Sequence, residues 1–225
     1  MPKEFVHFHI ARRTASNLGD SFLGRSARSR EPALLLGSVF HDLWFYITGT
    51  RPGRLAAVAD ELHGKDGQDT FWLIKRQAEI VKKYRENPDS ADIAEIAAAL
   101  LVGMLSHLCA DATFHPMVYW FSGNYYSDPR AVERHRRLET LMDLAVPADP
   151  GHFQLLRMLQ ATSLTNAYPC EALAELAQVP PDTLATELDA TFLRFARVQR
   201  LIQLAPLAWL AHLLRPLLPR ALREL

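Results

Sequence analysis

The sequence lacks an excess of charge of either sign. Lys and Arg total 25, Asp and Glu total 25, in 225 residues. A protein that grips nucleic acid mainly through a basic field needs a surplus of cations, so nucleic acid is not the expected partner. Cysteine is nearly absent, with only Cys109 and Cys170. Two cysteines make no disulfide framework. Neither sits in a Cys-x-x-Cys pair, which argues against a thiolate zinc site. The opening "MPKEFVHFHIARRTA" has no apolar stretch of signal-peptide length. No segment reaches the roughly eighteen uninterrupted apolar residues of a membrane span. These absences lead to the expectation of a soluble, cytoplasmic protein. Alternating β-branched runs are missing, and with them any Asn-Gly or Asp-Gly hairpin. There is no internal repeat, no low-complexity tract and no Gly-x-Ser-x-Gly nucleophile elbow.

What remains is helix. Hydrophobic residues make up 49% of the chain, enough for a substantial core. Apolar spacing predicts helices over Phe5–Leu18 and Leu55–Leu62, and another after a cap at Asp69. Pro32 can open a helix at its first position, running on through "ALLLGSVFHDLWFYITG". "GDSFLGRSARSREP", rich in Gly, Ser and Arg, reads as a loop. Ala91–Trp120 reads as one long apolar helix, with a kink or break near Phe114–Met117 because Pro116 lacks an N–H. "SGNYYSDP" reads as a loop and Pro129–Leu144 as a helix. Three further helical patterns start near Pro150, Pro169 and Pro181. The expected fold class is all-α, a single multi-helix bundle spanning residues 1–225.

The polar residues inside the apolar helices carry the chemistry. In "GMLSHLCADATFHPMVYW", His107, Asp111 and His115 are spaced by four residues. Each step of four on an α-helix returns to within about 40°, so the three form one stripe. Buried polar groups cost free energy without partners, and a cation held between imidazole and carboxylate satisfies all three. "RHRRLETLMD" repeats the spacing with His135, Glu139 and Asp143, although its arginines also suit a solvated helix with Glu–Arg pairs. His41 and Asp42 lie among apolar residues in "GSVFHDLWFY". His63 precedes Gly64 at a helix end, and His7 and His9 lie near the start. His7, Asp42, His63, His107, Asp111, His115, His135 and Glu139 offer eight N/O ligands. This is too many for one tetrahedral zinc and suits two or three. Imidazole and carboxylate without thiolate favour catalytic zinc, or else manganese or iron, over a structural zinc. His41 reads as structural, and His152 and His212 as core or surface residues.

The order His, Asp, His, then His-x-x-x-Asp-x-x-x-His-Pro, then His-x-x-x-Glu, on a helical chain, resembles the zinc-dependent phospholipase C family. It is most similar to the bacterial branch without a signal peptide, which starts Met-Pro with a His a few residues in. The trinuclear-zinc single-strand nucleases of fungi and plants are more distant. The motifs cover roughly Met1–Asp143, implying a metal-site core over about residues 1–145 and a helical extension over about 150–225. The resemblance implies that Asp42, His63, His107 and Asp111 hold a first zinc, with Asp111 bridging to a second held by His115, His135 and Glu139. His7 would belong to a third, next to Asp111. Secreted members complete that third site with the amino group and carbonyl of their first residue. Here the first residue lies six positions before His7, so two zincs are expected, with a third as the alternative. The four-residue gap between Asp111 and His115 resembles the intracellular branch and the related domain of glycosylphosphatidylinositol-specific phospholipase D. In place of the Pro usual before Asp42, this chain has His41.

The expected function is that of a metal-dependent phosphoesterase, hydrolysing a phosphodiester in phospholipase C fashion by zinc-activated hydroxide. Asp42 is the candidate to orient or deprotonate the water. The substrate would be a phosphoester small molecule or a phospholipid. Trp44, Phe45, Tyr46, Trp120, Phe121, Tyr125 and Tyr126 could line its pocket or simply pack. The Leu- and Arg-rich run "LIQLAPLAWLAHLLRPLLPRALREL" suits peripheral membrane contact or packing on the bundle or on another subunit. Two alternatives stand beside this reading. One is an HD-type metal phosphohydrolase built on His41–Asp42. The other is a non-catalytic metal-stabilised module, lipid-binding or structural.

Overall fold

Ten α-helices and no strand make up the described part of the computed structural model, residues 4–46, 53–124, 128–146 and 166–202. In chain order they are α1 (Glu4–Asn17), α2 (Phe22–Ser29), α3 (Glu31–Gly37), α4 (Phe40–Leu43), α5 (Gly53–Leu62), α6 (Trp72–Arg85), α7 (Ala91–Ser122), α8 (Pro129–Ala145), α9 (Cys170–Ala177) and α10 (Pro181–Ile202). The expected all-α class holds. α7 is the axis, and α1, α2, α3, α6 and α8 all pack on it. By length and apolarity alone α7 could cross a membrane, but most of its apolar window is buried against its neighbours.

Two glycines let α3 and α7 approach backbone to backbone. A Cβ on Gly37 would overlap the carbonyl oxygen of Leu100, and one on Gly103 would overlap that of Leu34. Only a residue without a side chain fits at either point. Above this contact lies a continuous core that includes Leu34, Leu35, Phe40, Trp44, Leu73, Leu100 and Met104. Leu173 and Ala174 of α9 join the same core, and the rings of Tyr168, in the turn before α9, and Phe192 of α10 lie 5.9 and 6.3 Å from Phe40. The buried Gln77 Nε2 donates to the carbonyls of Ala97 and Ala167, tying the turn before α9 to α6 and α7.

Three sequence expectations are corrected. The loop expected between Gly19 and Pro32 contains α2. Its Ser21 accepts from the Gly24 N–H at 3.1 Å as an N-cap, and it buries Gly24, Ser26 and Ala27. The long helix expected after Pro32 ends at Gly37 and restarts at Phe40, so it is two short helices, α3 and α4. Conversely, α7 is not broken at Pro116 but runs on to Ser122. Pro116 removes the N–H that would bond the Ala112 carbonyl. Both residues are exposed on the outer face, where water can serve that carbonyl. The helical pattern expected from Pro150 falls mostly outside the described residues, as does the Leu- and Arg-rich run beyond Ile202.

Candidate metal centre

α1 brings in His7. The first N–H groups of a helix have no partner within it, and here Asp143 of α8 supplies one. Its carboxylate accepts from Val6 N at 3.0 Å and Phe5 N at 3.3 Å, a favourable place for negative charge. Asp143 was visible in sequence as the third member of the α8 stripe, but its task of anchoring the His7 helix was not. His7 is fully buried as a result.

The break between α3 and α4 positions two further groups. It leaves the Ser38 carbonyl outside a regular helix, where it accepts from His107 Nδ1 at 2.9 Å. A carbonyl can only accept, so Nδ1 carries a proton, and the neutral form of the ring offers its lone pair at Nε2. α4 then carries Asp42 inward. His63 directly follows α5 and precedes Gly64, whose φ of +80° turns the chain away. Its Nδ1 lies 2.7 Å from the Ala59 carbonyl, which by the same logic frees His63 Nε2. Such carbonyl partners fix the tautomer that a metal requires.

The four-residue spacing works as expected on α7 and α8. His107 Nε2 lies 3.4 Å from Asp111 Oδ2, and His115 Nε2 3.9 Å from Asp111 Oδ1. Across the helices, His115 Nε2 lies 3.9 Å from Glu139 Oε1, and His135 Nε2 2.8 Å from the same oxygen. His7 Nε2 is 3.5 Å from Asp111 Oδ1, and His63 Nε2 3.2 Å from Asp42 Oδ1. All eight residues expected to be ligands therefore converge. Three close groups form among the described residues: His7–Asp42–His107, His63–His107–Asp111 and His115–His135–Glu139. The first two share His107, and Asp111 links them to the third.

The donor set fits zinc. Nε2 of His7, His63, His107 and His115, Oδ1 of Asp42 and both oxygens of Asp111 are buried without a hydrogen bond. Such groups are rare in folded proteins because each costs about 1–3 kcal/mol. Two ligands about 2.0–2.1 Å from one tetrahedral zinc lie about 3.3 Å apart. Three of the six separations given above, 3.2, 3.4 and 3.5 Å, lie near that value.

His41 belongs to none of the three groups. It is fully buried and stacks on His107 at 4.9 Å between centroids, with 6° between planes, while His7 also stacks on His107, at 4.3 Å. His41 thus backs a candidate ligand. Of the sequence's aromatic candidates, Trp44 is buried in the core and Phe45 lies 5.5 Å from His63. Tyr119, not singled out in sequence, lies 5.4 Å from His115 and 5.1 Å from His135. Tyr125 and Tyr126 fall outside the described residues.

Burial sets the electrostatics. It pushes His7 and His41 well below the ordinary imidazole range, helped by the neighbouring His107. It also lowers His115, and lowers His135 to about 3. Burial opposes the other two shifts: the adjacent His107 and His63 hold Asp42 well down despite it, and Asp42 in turn raises His63. Neutral imidazoles are what a metal binds. The same shifts make a prediction for metal-free protein. A histidine whose folded pKa is depressed stabilises the fold above its unfolded pKa of about 6.5 and loses that contribution as pH falls. Four histidines act this way. His63 acts in the opposite sense, and Asp42 does not titrate in this window. The melting temperature of metal-free protein is therefore expected to fall between about pH 7 and about pH 5. A flat or rising curve in calorimetry would mean that these imidazoles are already protonated in the native state.

A family model described as zinc dependent phospholipase C matches residues 6–186. The match extends past the residue near 145 at which the recognisable motifs end, and takes in α9. No curated protein and no solved structure matches the chain.

Proposed function

The chain belongs to the zinc-dependent phospholipase C family, and from that premise we propose that it hydrolyses a phosphodiester at the His–carboxylate cage, with a phospholipid as the substrate class. Membership itself implies metal-dependent phospholipid hydrolysis. The observation that carries the reading to this cage is the convergence of seven buried, hydrogen-bond-deficient N and O atoms from α1, α4, the turn after α5, and α7.

In this proposal Asp42, His63, His107 and Asp111, with His7 beside them, form one end of the cage. His115, His135 and Glu139 form the other, and Asp111 bridges the two. Bound zinc would lower the pKa of a coordinated water and offset charge on the phosphoryl and leaving oxygens. The chain's own groups would do the rest. The Ser38 and Ala59 carbonyls hold His107 and His63 in the tautomer that offers Nε2. Asp42, kept ionised by its imidazole neighbours, is able to orient the attacking water and accept its proton. His7 and His107 are sealed from solvent, whereas His63 and His115 are half-buried. The substrate phosphate would therefore enter from the His63–His115 side, past the exposed rings of Phe45 and Tyr119.

The HD-type alternative would centre its metals on His41–Asp42. It leaves the convergence of His115, His135 and Glu139 without a task.

A strong chelator is expected to lower the melting temperature and stoichiometric zinc to restore it. A ligand present at about 100 times its Kd adds about 2.7 kcal/mol, or roughly 5–10 °C for a chain of this size. Turnover of a generic phosphodiester should disappear and return in parallel, while elemental analysis follows zinc. Zinc-loaded protein that hydrolyses no member of a phosphodiester panel would instead favour a non-catalytic module. An identical melting curve with and without chelator, in protein that contains no metal, would remove the metal reading altogether.

A further inference from the structure

The outer end of α7 is unusually apolar for a surface. Met117, Tyr119, Trp120 and Phe121 are all exposed, Trp120 at 84% and Phe121 at 65%. Scattered exposed hydrophobics are ordinary, but a contiguous group marks an interaction site. Met117, Trp120 and Phe121 stand at i, i+3 and i+4, so they share one helical face.

Positive charge borders this face. Arg130, Arg134 and Arg137 are exposed at i, i+4 and i+7 of α8 and share one face, Arg134 pairing also with Asp128 at 2.7 Å, while Arg136 is exposed on another face. Arg134 donates to the Ser122 carbonyl at the end of α7, at 2.7 Å, which fixes the arginine stripe next to the aromatic turn. Over residues 128–138, four arginines against Asp128 and Glu133 leave two net positive charges. The patch also joins the cage: Tyr119 is exposed and touches the rings of His115 and His135.

We propose that the α7 tip and the arginines of α8 dock on an anionic phospholipid surface, presenting the His115 side of the cage to lipid headgroups. This rests on the phospholipid reading given above. Indole and phenol rings suit the boundary between headgroups and acyl chains, where one end is apolar and the other wet. Arginines beside them suit lipid phosphates. A second copy of this chain is the poorer occupant. A symmetric pair buries the same patch on both subunits, which would bring the two arginine stripes together.

The test uses zinc-loaded full-length protein and its Trp120→Ala/Phe121→Ala variant. Each is sedimented with vesicles of phosphatidylcholine, alone or with roughly a third phosphatidylserine. The wild type should bind the anionic vesicles and lose affinity as salt rises from about 0.1 M to about 0.5 M. The variant should bind at least about tenfold more weakly. Its zinc content, melting temperature and turnover of a water-soluble phosphodiester should be unchanged. Wild type that ignores vesicles, or a variant that binds them equally well, overturns the proposal. A dimer that dissociates in the variant and excludes vesicle binding overturns it too, and gives the face to a second copy. Vesicle binding needs no turnover, so protein that binds but hydrolyses nothing supports the docking face while contradicting the proposed activity.

Discussion

Asp111→Asn is expected to lose at least one zinc per chain and to cut phosphodiester turnover on the order of a thousandfold, equivalent to about 4 kcal/mol of transition-state stabilisation. Both Asp111 oxygens are buried without a hydrogen bond, and they face Nε2 of His7, His107 and His115 at 3.5, 3.4 and 3.9 Å. In the proposed cage a carboxylate there would offset the charge of the bound divalent metal. An amide keeps the shape but removes the charge. The fold should survive, because the amide N–H groups can donate to the imidazole nitrogens nearby. His41→Gln is the matched comparison. It removes a stacked ring from behind His107 but no member of the three close groups, so metal content and turnover should stay within a few-fold of wild type. An HD-type enzyme would reverse this ranking. Zinc analysis and turnover of the two purified variants decide it: a fully active Asp111→Asn, or a His41→Gln that is dead and has lost its metal, sinks the proposed cage.

Gly103→Ala should be the most damaging single-methyl change in the fold. The added Cβ would overlap the Leu34 carbonyl oxygen and lie 2.7 Å from the Ser38 nitrogen. Those atoms belong to backbone, which cannot swing aside as a side-chain tip can, so α3 must retreat from α7. Overpacking a core costs about 1–3 kcal/mol where side chains can adjust. A clash between two backbones should reach about 4 kcal/mol, or a melting temperature lower by roughly 8–16 °C. The retreat also withdraws the Ser38 carbonyl from His107 Nδ1, so zinc affinity should fall with stability. Calorimetry of metal-free protein isolates the first effect and zinc titration the second. A variant that melts with the wild type and binds zinc normally would show that the two helices do not depend on this close approach.

The ligand stripes were legible in the sequence because their geometry is local. Helical pitch alone brings His107, Asp111 and His115 into line, as it does His135 and Glu139. Asp42, His63 and His7 belong to other helices, and their order along the chain pointed to them only through the family resemblance. What stayed hidden depends on pairs far apart in sequence. The close approach of the α3 end to α7 depends on Gly103, and the Ser38 carbonyl has its use only once α7 lies beside it. Likewise the carboxylate of Asp143 gains its role from the N–H groups of Phe5 and Val6. α2 was missed for a different reason: its Gly, Ser and Arg content is typical of loops, and the Ser21 cap and the small buried face outweighed it. Pro116 does not break α7 because it and Ala112 face solvent, where the unpaired Ala112 carbonyl costs little.

The link between Asp143 and the start of α1 has a bearing on how the protein is made. Val6 and Asp143 are 137 positions apart, so on a ribosome His7 emerges long before the helix that anchors it. At about 5–20 residues per second, roughly 7–27 seconds separate the two. During that interval the nascent chain can offer His7, Asp42 and His63 but cannot arrange them around Asp111. Closing so long a loop is among the later steps of assembly. In the proposed cage, metal loading would therefore wait until α8 has been synthesised and docked, and early capture of an ion by His7, Asp42 and His63 alone would gain little from the fold.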